Sequence, residues 1–575
     1  MHTPGMKRFV TGVLGLVAMG SCLAELPLFV REATGARGAA PGVWHVTPRR
    51  VVWKTADGLE GVENLLKPGL GQSVLGRPKP VCVLKTGAAV VLDFGVELQG
   101  GIEVFTGIQA DKTPVPVRVR FGESVNEVMV GIGEKGATND HAIREEVVNL
   151  PWLGKRRIGN TGFRFVRLDL EQAKREVVIQ EIRAVLEVRD LPYLGSFRCN
   201  DVRLNRIWDV GAWTVHLNMQ EYLWDGIKRD RLVWVGDMHP EWRTIGAVFG
   251  PTGVVPKSLD LIAEITPQSE WMNGISSYSM WWVVIQEELW RTRGDREHLA
   301  KHETYVEALL EKLVGMVDDK GSEKLDGHRF LDWPSSANPE AVHAGLQALM
   351  VMTLEAGERL MTETGEKKLA AKCGATAKRM RNYVPGVNGS KQAAALLALA
   401  GLRDAEDVNT KVLKPGGSKG VSTFYGYYVL EAMALAGDVK GGQALIREYW
   451  GAMLDFGATS FWEDFNIEWV PGSAGITELV PEGKKDIHGD FGAYCYENFR
   501  HSLCHGWASG PTPWLSRHVL GVELVTPTAV RVNPVLGDLD WAEGTVPVNG
   551  GVVKVRVERG KDPVIVLPEG VTRVE

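Results

Sequence analysis

Cysteine is scarce and unpatterned in these 575 residues. Cys22, Cys82, Cys199, Cys373, Cys495 and Cys504 form no CxxC pair and no Cys/His spacing that would hold zinc. If Cys22 belongs to an N-terminal leader only five remain, which argues against a disulfide framework and for buried thiols. Basic excess is also lacking. With 65 Lys and Arg against 71 Asp and Glu the net charge is −6, so no global positive field exists to hold nucleic acid. Nothing beyond the N-terminus reaches the roughly 18 continuous apolar residues that a membrane span needs. HExxH, GxSxG, a Walker A loop and a properly spaced GxGxxG are missing. His216, His239 and His505 lack metal-ligand spacing, so neither metal nor cofactor is expected. Hydrophobic residues at 44% and charged residues at 24% exclude disorder, a collagen-like fibre and a multispan membrane protein.

Tryptophan is what the chain has in plenty. Its 19 Trp exceed 16 Phe and 11 Tyr, and ten of them, Trp208 to Trp333, fall within 126 residues. Such density either fills a core or lines a cleft with aromatic platforms, as carbohydrate sites do. Lys7-Arg8, an apolar run from Phe9 to Met19 and small residues up to Ala24 read as a secretory signal over residues 1–24. Cleavage after Ala24 or a lipid anchor on Cys22 would place the chain in the periplasm or on the outer membrane, exported in either case.

Residues 40–192 read as strands. Val81–Leu84, Ala89–Asp93, Gly101–Phe105, Val117–Phe121, Phe163–Leu170 and Glu181–Val188 are short, β-branched or alternating, which predicts an N-terminal β-sandwich. From 193 to 520 the period lengthens. Helices are expected over Asn205–Tyr222, Met280–Arg293, His298–Val317, Pro339–Glu363, Lys367–Tyr383, Ser390–Leu399, Thr423–Ala436, Gly441–Phe456 and near Pro513–Val519. Gly294-Asp295, Gly365-Glu366 and Gly437-Asp438 end one helix and open the next, the punctuation of helical hairpins arranged as one toroid or bundle. Strands return over 521–575 as a small β-sandwich.

Charge and aromatic density peak between Trp224 and Trp242. Asp225, Asp230, Asp237 and Glu241 stand among three cations and three Trp, and Gly226, Gly236 and Pro240 predict a loop. Carboxyls beside Trp rings or Arg have pKa values that burial and charge can tune for acid catalysis. A second cluster, Gly457–Phe465, sets Glu463 between Trp462 and Asp464. Two opposed carboxyls are what glycoside hydrolysis requires: one protonates the leaving oxygen and the other activates water.

Asp225-Gly-Ile-Lys-Arg-Asp-Arg-Leu-Val-Trp-Val-Gly-Asp237 resembles the signature of the bacterial α-L-rhamnosidases, an Asp, then Arg-Glu-Arg-Leu, then Trp and Gly-Asp. Gly457–Glu463 resembles that family's Ala-Thr-x-x-Trp-Glu segment, and Ser502-Leu-Cys-His-Gly506 its Ser-x-x-His element. Further matches, in family order, are Leu92-Asp-Phe-Gly95, Asn160-Thr-Gly-Phe-Arg-Phe165, Ser277–Trp282 and Phe330-Leu-Asp332-Trp333. The resemblance implies an (α/α)6 catalytic barrel with a sugar pocket contacted by Asp225, Arg229, Trp234, Asp237, Trp282, Asp332, Trp333 and His505. It also implies inversion, with Glu463 as general base. Asp230 stands where the family has Glu as acid. It is one methylene shorter, so Glu241, eleven residues on, is the alternative acid.

The function expected is removal of terminal α-L-rhamnose from an oligosaccharide or polysaccharide. Another deoxyhexose or a uronic acid would suit the same barrel. A polysaccharide lyase, with a Tyr or His base, and a non-catalytic glycan-binding protein are the other classes.

Overall fold

A computed structural model describes residues 42–75, 81–109, 112–171 and 174–575. The expected signal at 1–24, including Cys22, lies outside the described residues. Among those described, no helix is long and apolar enough to cross a membrane.

Strands open the described chain: Val43–Val46 (β1), Arg50–Lys54 (β2), Leu59–Glu60 (β3), Cys82–Lys85 (β4), Ala89–Thr106 (β5), Val115–Gly122 (β6), Glu145–Leu150 (β7), Gly154–Asp169 (β8) and Glu176–Glu187 (β9). They form one network ordered β3-β4-β9-β5-β8-β6-β7, with β1 added to β9 and β2 to β5. The runs expected separately at 89–93 and 101–105 are a single strand, β5. It bends rather than breaks. Its register against β8 shifts between Asp93 and Leu98 and again between Gly100 and Ile102. A Cβ at Gly101 would meet the Ile158 carbonyl oxygen at 2.3 Å, so only glycine lets the neighbouring backbone this close.

Ser196–Cys199 (β10) leads into the helices, which are Val202–Asn218 (α1), Met238–Val248 (α2), Val254–Ile265 (α3), Ser276–Arg293 (α4), Arg296–Gly315 (α5), Pro339–Thr364 (α6), Lys367–Met380 (α7), Lys391–Leu399 (α8), Ala405–Val408 (α9), Gly426–Leu435 (α10), Val439–Asp455 (α11) and Pro511–Trp514 (α12). The even-numbered helices touch in a closed cycle, α2 to α4, α6, α8, α10, α12 and back to α2. From the flanks, α5 and α7 pack on α6, and α11 packs on α10 and α1. Burial matches these places: α4 is buried from Ser276 to Leu289, whereas α7 buries one stripe, Leu369, Ala370, Cys373, Thr376, Ala377 and Met380. The expected punctuation is present. Gly294 closes α4 in the left-handed region at φ 68°, and the Asp295 side chain accepts from His298 N to start α5.

Two elements differ from the sequence reading. The loop expected up to Trp242 ends at Asp237, because Pro240 occupies the first turn of α2, where its missing N–H costs no helical bond. The unexpected α3 uses the same device with Pro256. At the C-terminal end, after the two-residue strands Ser473–Ala474 (β11) and Lys485–Asp486 (β12), come Val522–Thr526 (β13), Ala529–Val532 (β14), Trp541–Val548 (β15), Gly551–Glu558 (β16), Val564–Val566 (β17) and Thr572–Val574 (β18). β10 pairs with β15, so the chain leaves its first strands and anchors to its last ones before entering the helices.

One apolar core joins the helices to these last strands, and a second fills the N-terminal strands. The second also takes in Trp213 and Leu217 of α1, Ile227 and Cys504. Polar contacts across this seam are buried. Lys228 donates to the carbonyls of Phe499 (2.6 Å) and His501 (2.8 Å), and its ammonium lies 2.9 Å from Glu127 and 3.4 Å from Glu123. Glu123 accepts in turn from Leu503 N at 2.6 Å, and Arg144 pairs with Glu127 at 3.0 Å. Against burial, which raises its pKa, Arg144 and Lys228 hold Glu127 down at about 2. Lys228→Met would leave Glu123 without its ion-pair partner and Glu127 with Arg144 alone. It is expected to cost about 3–5 kcal/mol of stability, read as a lower denaturation midpoint; an unchanged midpoint would show that the ammonium is not the fastening.

Candidate active site

Four segments line one pocket: the 219–237 loop between α1 and α2, the start of α4, residues 328–333 and residues 494–507; the 457–465 segment after α11 packs behind them without lining it. The N-terminal strands hold two of these from behind. Arg164 grips Asp93 through Nε (2.8 Å) and Nη2 (3.1 Å), and its remaining Nη1 donates to the Gly457 carbonyl at 2.9 Å. Gly162 N donates to the Ile227 carbonyl, and Arg231 donates twice to Asn160. The upstream Asp93 and Asn160–Phe165 motifs are thus the struts of the site rather than parts of its surface.

Asp225, Asp230, Trp234, Asp237, Asn273, Tyr278, His328, Phe330, Trp333, Tyr496, His505 and Trp507 line the pocket, which holds about 690 Å³ of open space. Asp225 uses both carboxylate oxygens inside its own loop, accepting from Asp230 N (2.9 Å) and Leu232 N (3.0 Å). It therefore fixes where Asp230 points. Burial lifts its pKa to about 6. Asp237 accepts from the Tyr278 hydroxyl at 2.6 Å and faces His505 Nε2 at 3.1 Å; burial lifts it to about 8. His505 Nδ1 lies 3.6 Å from Glu463 Oε1, so this imidazole sits between Asp237 and Glu463.

Glu463 is almost wholly buried. Its Oε2 accepts from Ser502 N at 3.0 Å, and its backbone carbonyl is held by the Trp507 indole N–H and the Thr423 hydroxyl. Burial raises its pKa to about 7, with Arg229 and His505 pulling the other way. Arg229 stands over the Tyr496 ring, 4.6 Å from its centroid, and touches both acids. Nη2 is 2.8 Å from Asp230 Oδ1 and Nη1 is 3.9 Å from Glu463 Oε2. A single guanidinium between them leaves these two carboxylate oxygens no more than about 9 Å apart. Its Nε and Nη1 make no hydrogen bond among the described residues.

The other expected residues lie elsewhere. Glu241, on α2, is buried against Gly506, where an added Cβ would come within 1.6 Å of Oε1. It does not line the pocket, and burial together with Asp237 and Asp225 drives its pKa far up. Trp282, expected in the cleft, donates to the Leu259 carbonyl and packs on His302 and Tyr305. The pocket sits at the first turn of α4, so Tyr278 reaches it and Trp282, one turn deeper, is in the core. Asp332 is buried too, accepting from Ser335 N and the Ser422 hydroxyl, and so orients Trp333 rather than lining the wall itself. Trp242, Trp281 and Trp462 are likewise core. Sequence reasoning missed Tyr278, Asn273, Tyr496 and Trp507. Tyr278 lies inside a segment singled out for its Trp pair, and Trp507 is two residues beyond His505; Tyr496 carried no signal.

Residues 192–385 match the family model for the bacterial α-L-rhamnosidase six-hairpin glycosidase domain. The match holds Asp225 to Trp333 and stops short of Glu463. An α-L-rhamnosidase of Formosa agariphila is 31% identical over 78 residues, 14% of this chain and 8% of that protein. The chain therefore matches less than a tenth of that relative's length. Among solved structures, a GH78 family rhamnosidase of Bacillus sp. GL1 superposes with a TM-score of 0.68 at 21% identity, covering 90% of this chain and 56% of that one. A rhamnosidase from Klebsiella oxytoca with rhamnose bound gives 0.67 at 20% identity, over 83% and 96%. At these identities the likeness establishes a shared fold. The chain thus resembles bacterial α-L-rhamnosidases in sequence across the acid loop and in fold across most of its length.

The raised acids have a thermodynamic signature. Asp225, Glu463 and Asp237 keep their protons in the folded state up to about 6, 7 and 8, whereas the unfolded chain releases them near their ordinary values. Across that window the folded state binds more protons, so this cluster's contribution to stability falls as pH rises. Asp237→Asn is expected to flatten the decline in melting temperature between about pH 6 and 8. A slope identical to the parent's would show that Asp237 titrates normally.

Proposed function

We propose that this chain is an inverting glycoside hydrolase that releases terminal α-L-rhamnose, with Asp230 as general acid and Glu463 as general base. The observation that carries the reading is Arg229, set between a pocket-lining Asp230 and a desolvated Glu463. That ceiling of about 9 Å admits the roughly 6.5–9.5 Å that inversion needs, enough for a water beside the base. Support for the sugar comes from the matched family and from the two rhamnosidases that share the fold. The cycle of even-numbered helices supports an (α/α)6 toroid over 193–520, flanked by β-sandwiches over 40–192 and 521–575.

In this reading the Trp234, Phe330, Trp333 and Trp507 rings take the apolar faces of the sugar, including its methyl group. The unpartnered N–H groups of Arg229 hold the water that Glu463 deprotonates. Asp230 donates its proton to the glycosidic oxygen as the bond to the anomeric carbon breaks. Water attacks from the opposite face, leaving Glu463 protonated and Asp230 ionised. The Tyr278 hydroxyl is committed to Asp237, so lyase chemistry with a tyrosine base gains no support. The charged and apolar run within residues 1–24 supports export.

Glu463→Gln and Asp230→Asn are each expected to lower turnover of an aryl α-L-rhamnoside by about 10²–10⁴-fold with the fold intact. Glu241→Gln, which swaps a neutral acid for a neutral amide, should stay within a few-fold of the parent. Loss in the Glu241 variant with activity retained in the Asp230 variant would reverse the assignment of the acid. Glu463 must be ionised to act as base, so the acid limb of the kcat profile is expected near pH 7, where its pKa lies. Activity that is flat down to pH 5 would remove Glu463 from that role.

A further inference from the structure

The connection between β6 and β7, residues 123–144, reaches out of the N-terminal strands to the mouth of the pocket. It is fastened there at several points. Lys135 accepts at its carbonyl from Phe499 N (2.9 Å), and its ammonium pairs with Asp490 at 2.6 Å. Asp140 is bound by Arg500. A Cβ at Gly136 would approach the Glu497 carbonyl oxygen to 2.9 Å, so the loop lies directly on the 497–500 backbone. Asn139 closes the turn by accepting from Arg144 N and Glu145 N. The residue presented by this scaffold is His141. Its Nε2 lies 3.3 Å from Asp230 Oδ1 and 3.6 Å from Asp140 Oδ2.

On the reading of Asp230 as the acid, this contact has a chemical consequence. An acid that gives up its proton in every turnover has to regain one. Among the described residues, Asp230 Oδ1 has two close basic neighbours. Arg229 is one, and a guanidinium does not release its protons. His141 is the other, and an imidazole can both give and take a proton at its ring nitrogens. Its side chain is 26% exposed against 16% for Asp230, so it reaches bulk water more openly than the carboxyl does. The charged groups facing it are Asp140 in its own loop, Asp230 and Arg229 from the acid loop, and Arg500 from the 494–507 segment through Asp140.

We propose that His141 is a positioning residue that acts through Asp230, holding its carboxyl at the pocket mouth and returning the proton lost in each turnover. The step balances simply. The Asp230 O–H bond breaks as the glycosidic oxygen gains that proton; the imidazolium Nε2–H bond then breaks as Oδ1 is reprotonated; and neutral imidazole regains a proton from solvent while Glu463 releases to solvent the proton it took from the attacking water, so no net proton is gained or lost. The inference rests on the proposed hydrolase reading, and it adds to the site a residue from a different part of the chain.

Leaving-group dependence tests it. Methyl α-L-rhamnoside leaves as an alkoxide that must be protonated, whereas 2,4-dinitrophenyl α-L-rhamnoside departs without help. His141→Ala is expected to lower kcat on the methyl glycoside by about 10–100-fold, to leave the dinitrophenyl glycoside within about two-fold, and to recover activity in imidazole buffer. His141→Gln, similar in size but unable to carry a proton, should show the same split. Full rates in both variants, equal loss on both substrates, or no response to imidazole would overturn the inference. Parent protein that cleaves neither glycoside would undo the hydrolase reading itself. A parent that cleaves both, with a large loss for Asp230→Asn on the methyl glycoside and none for His141→Ala, would undo only the role of His141.

Discussion

The buried ammonium of Lys228 is the contact on which the site's geometry depends. It sits one residue before Arg229 and two before Asp230. Its charge is shared between Glu123 and Glu127 from the β6–β7 connection, and its protons go to carbonyls of the 499–501 segment. A lysine this deeply buried would be costly unpaired. Paired in this way, it fixes the acid loop, the β6–β7 connection and the segment carrying His505 against one another. The three buried groups Glu123, Glu127 and His488 come close enough together to hold a metal ion, but the Lys228 ammonium already supplies the cation these carboxylates need.

From that fixed point the electrostatics of the pocket follow. Asp225 spends its oxygens on the backbone of residues 230 and 232, so the loop bearing Asp230 is set by its own first residue. Asp237, His505 and Glu463 run in a chain along one wall, with burial raising both acids, while Arg229 pulls Glu463 back toward ionisation. Asp230, at the mouth, is held by Arg229 and His141 and is less buried than Glu463. Two carboxyls of the same chemistry thus sit in unlike surroundings, Glu463 buried and Asp230 at the mouth between Arg229 and His141.

Much of this was legible in the sequence because the reacting groups cluster locally. Asp225, Asp230, Trp234 and Asp237 fall within thirteen residues, and all four line the pocket. Helix hairpins were readable from the Gly-acid pairs, since Gly294 and Asp295 do end α4 and start α5. Pro240 misled, because its position in a first turn looks like a break until the N-cap is known. The tryptophans divide between both opening alternatives: Trp234, Trp333 and Trp507 line the pocket, while Trp242, Trp281, Trp282 and Trp462 fill the core. Depth below the pocket separates them, as Tyr278 and Trp282 show on successive turns of α4, and depth is not written in local pattern. His141 was out of reach for another reason. It lies 89 residues before Asp230 in the sequence and meets it only because β6 and β7 carry it across the seam.

The claim at the centre of this account is that Asp230 and Glu463 work from opposite sides of the sugar. Proton NMR of the first-formed product, recorded before mutarotation, tests it most directly. Hydrolysis of an α-L-rhamnoside is predicted to yield β-L-rhamnose first. Initial release of the α-anomer would mean retention through a covalent intermediate and would contradict the account.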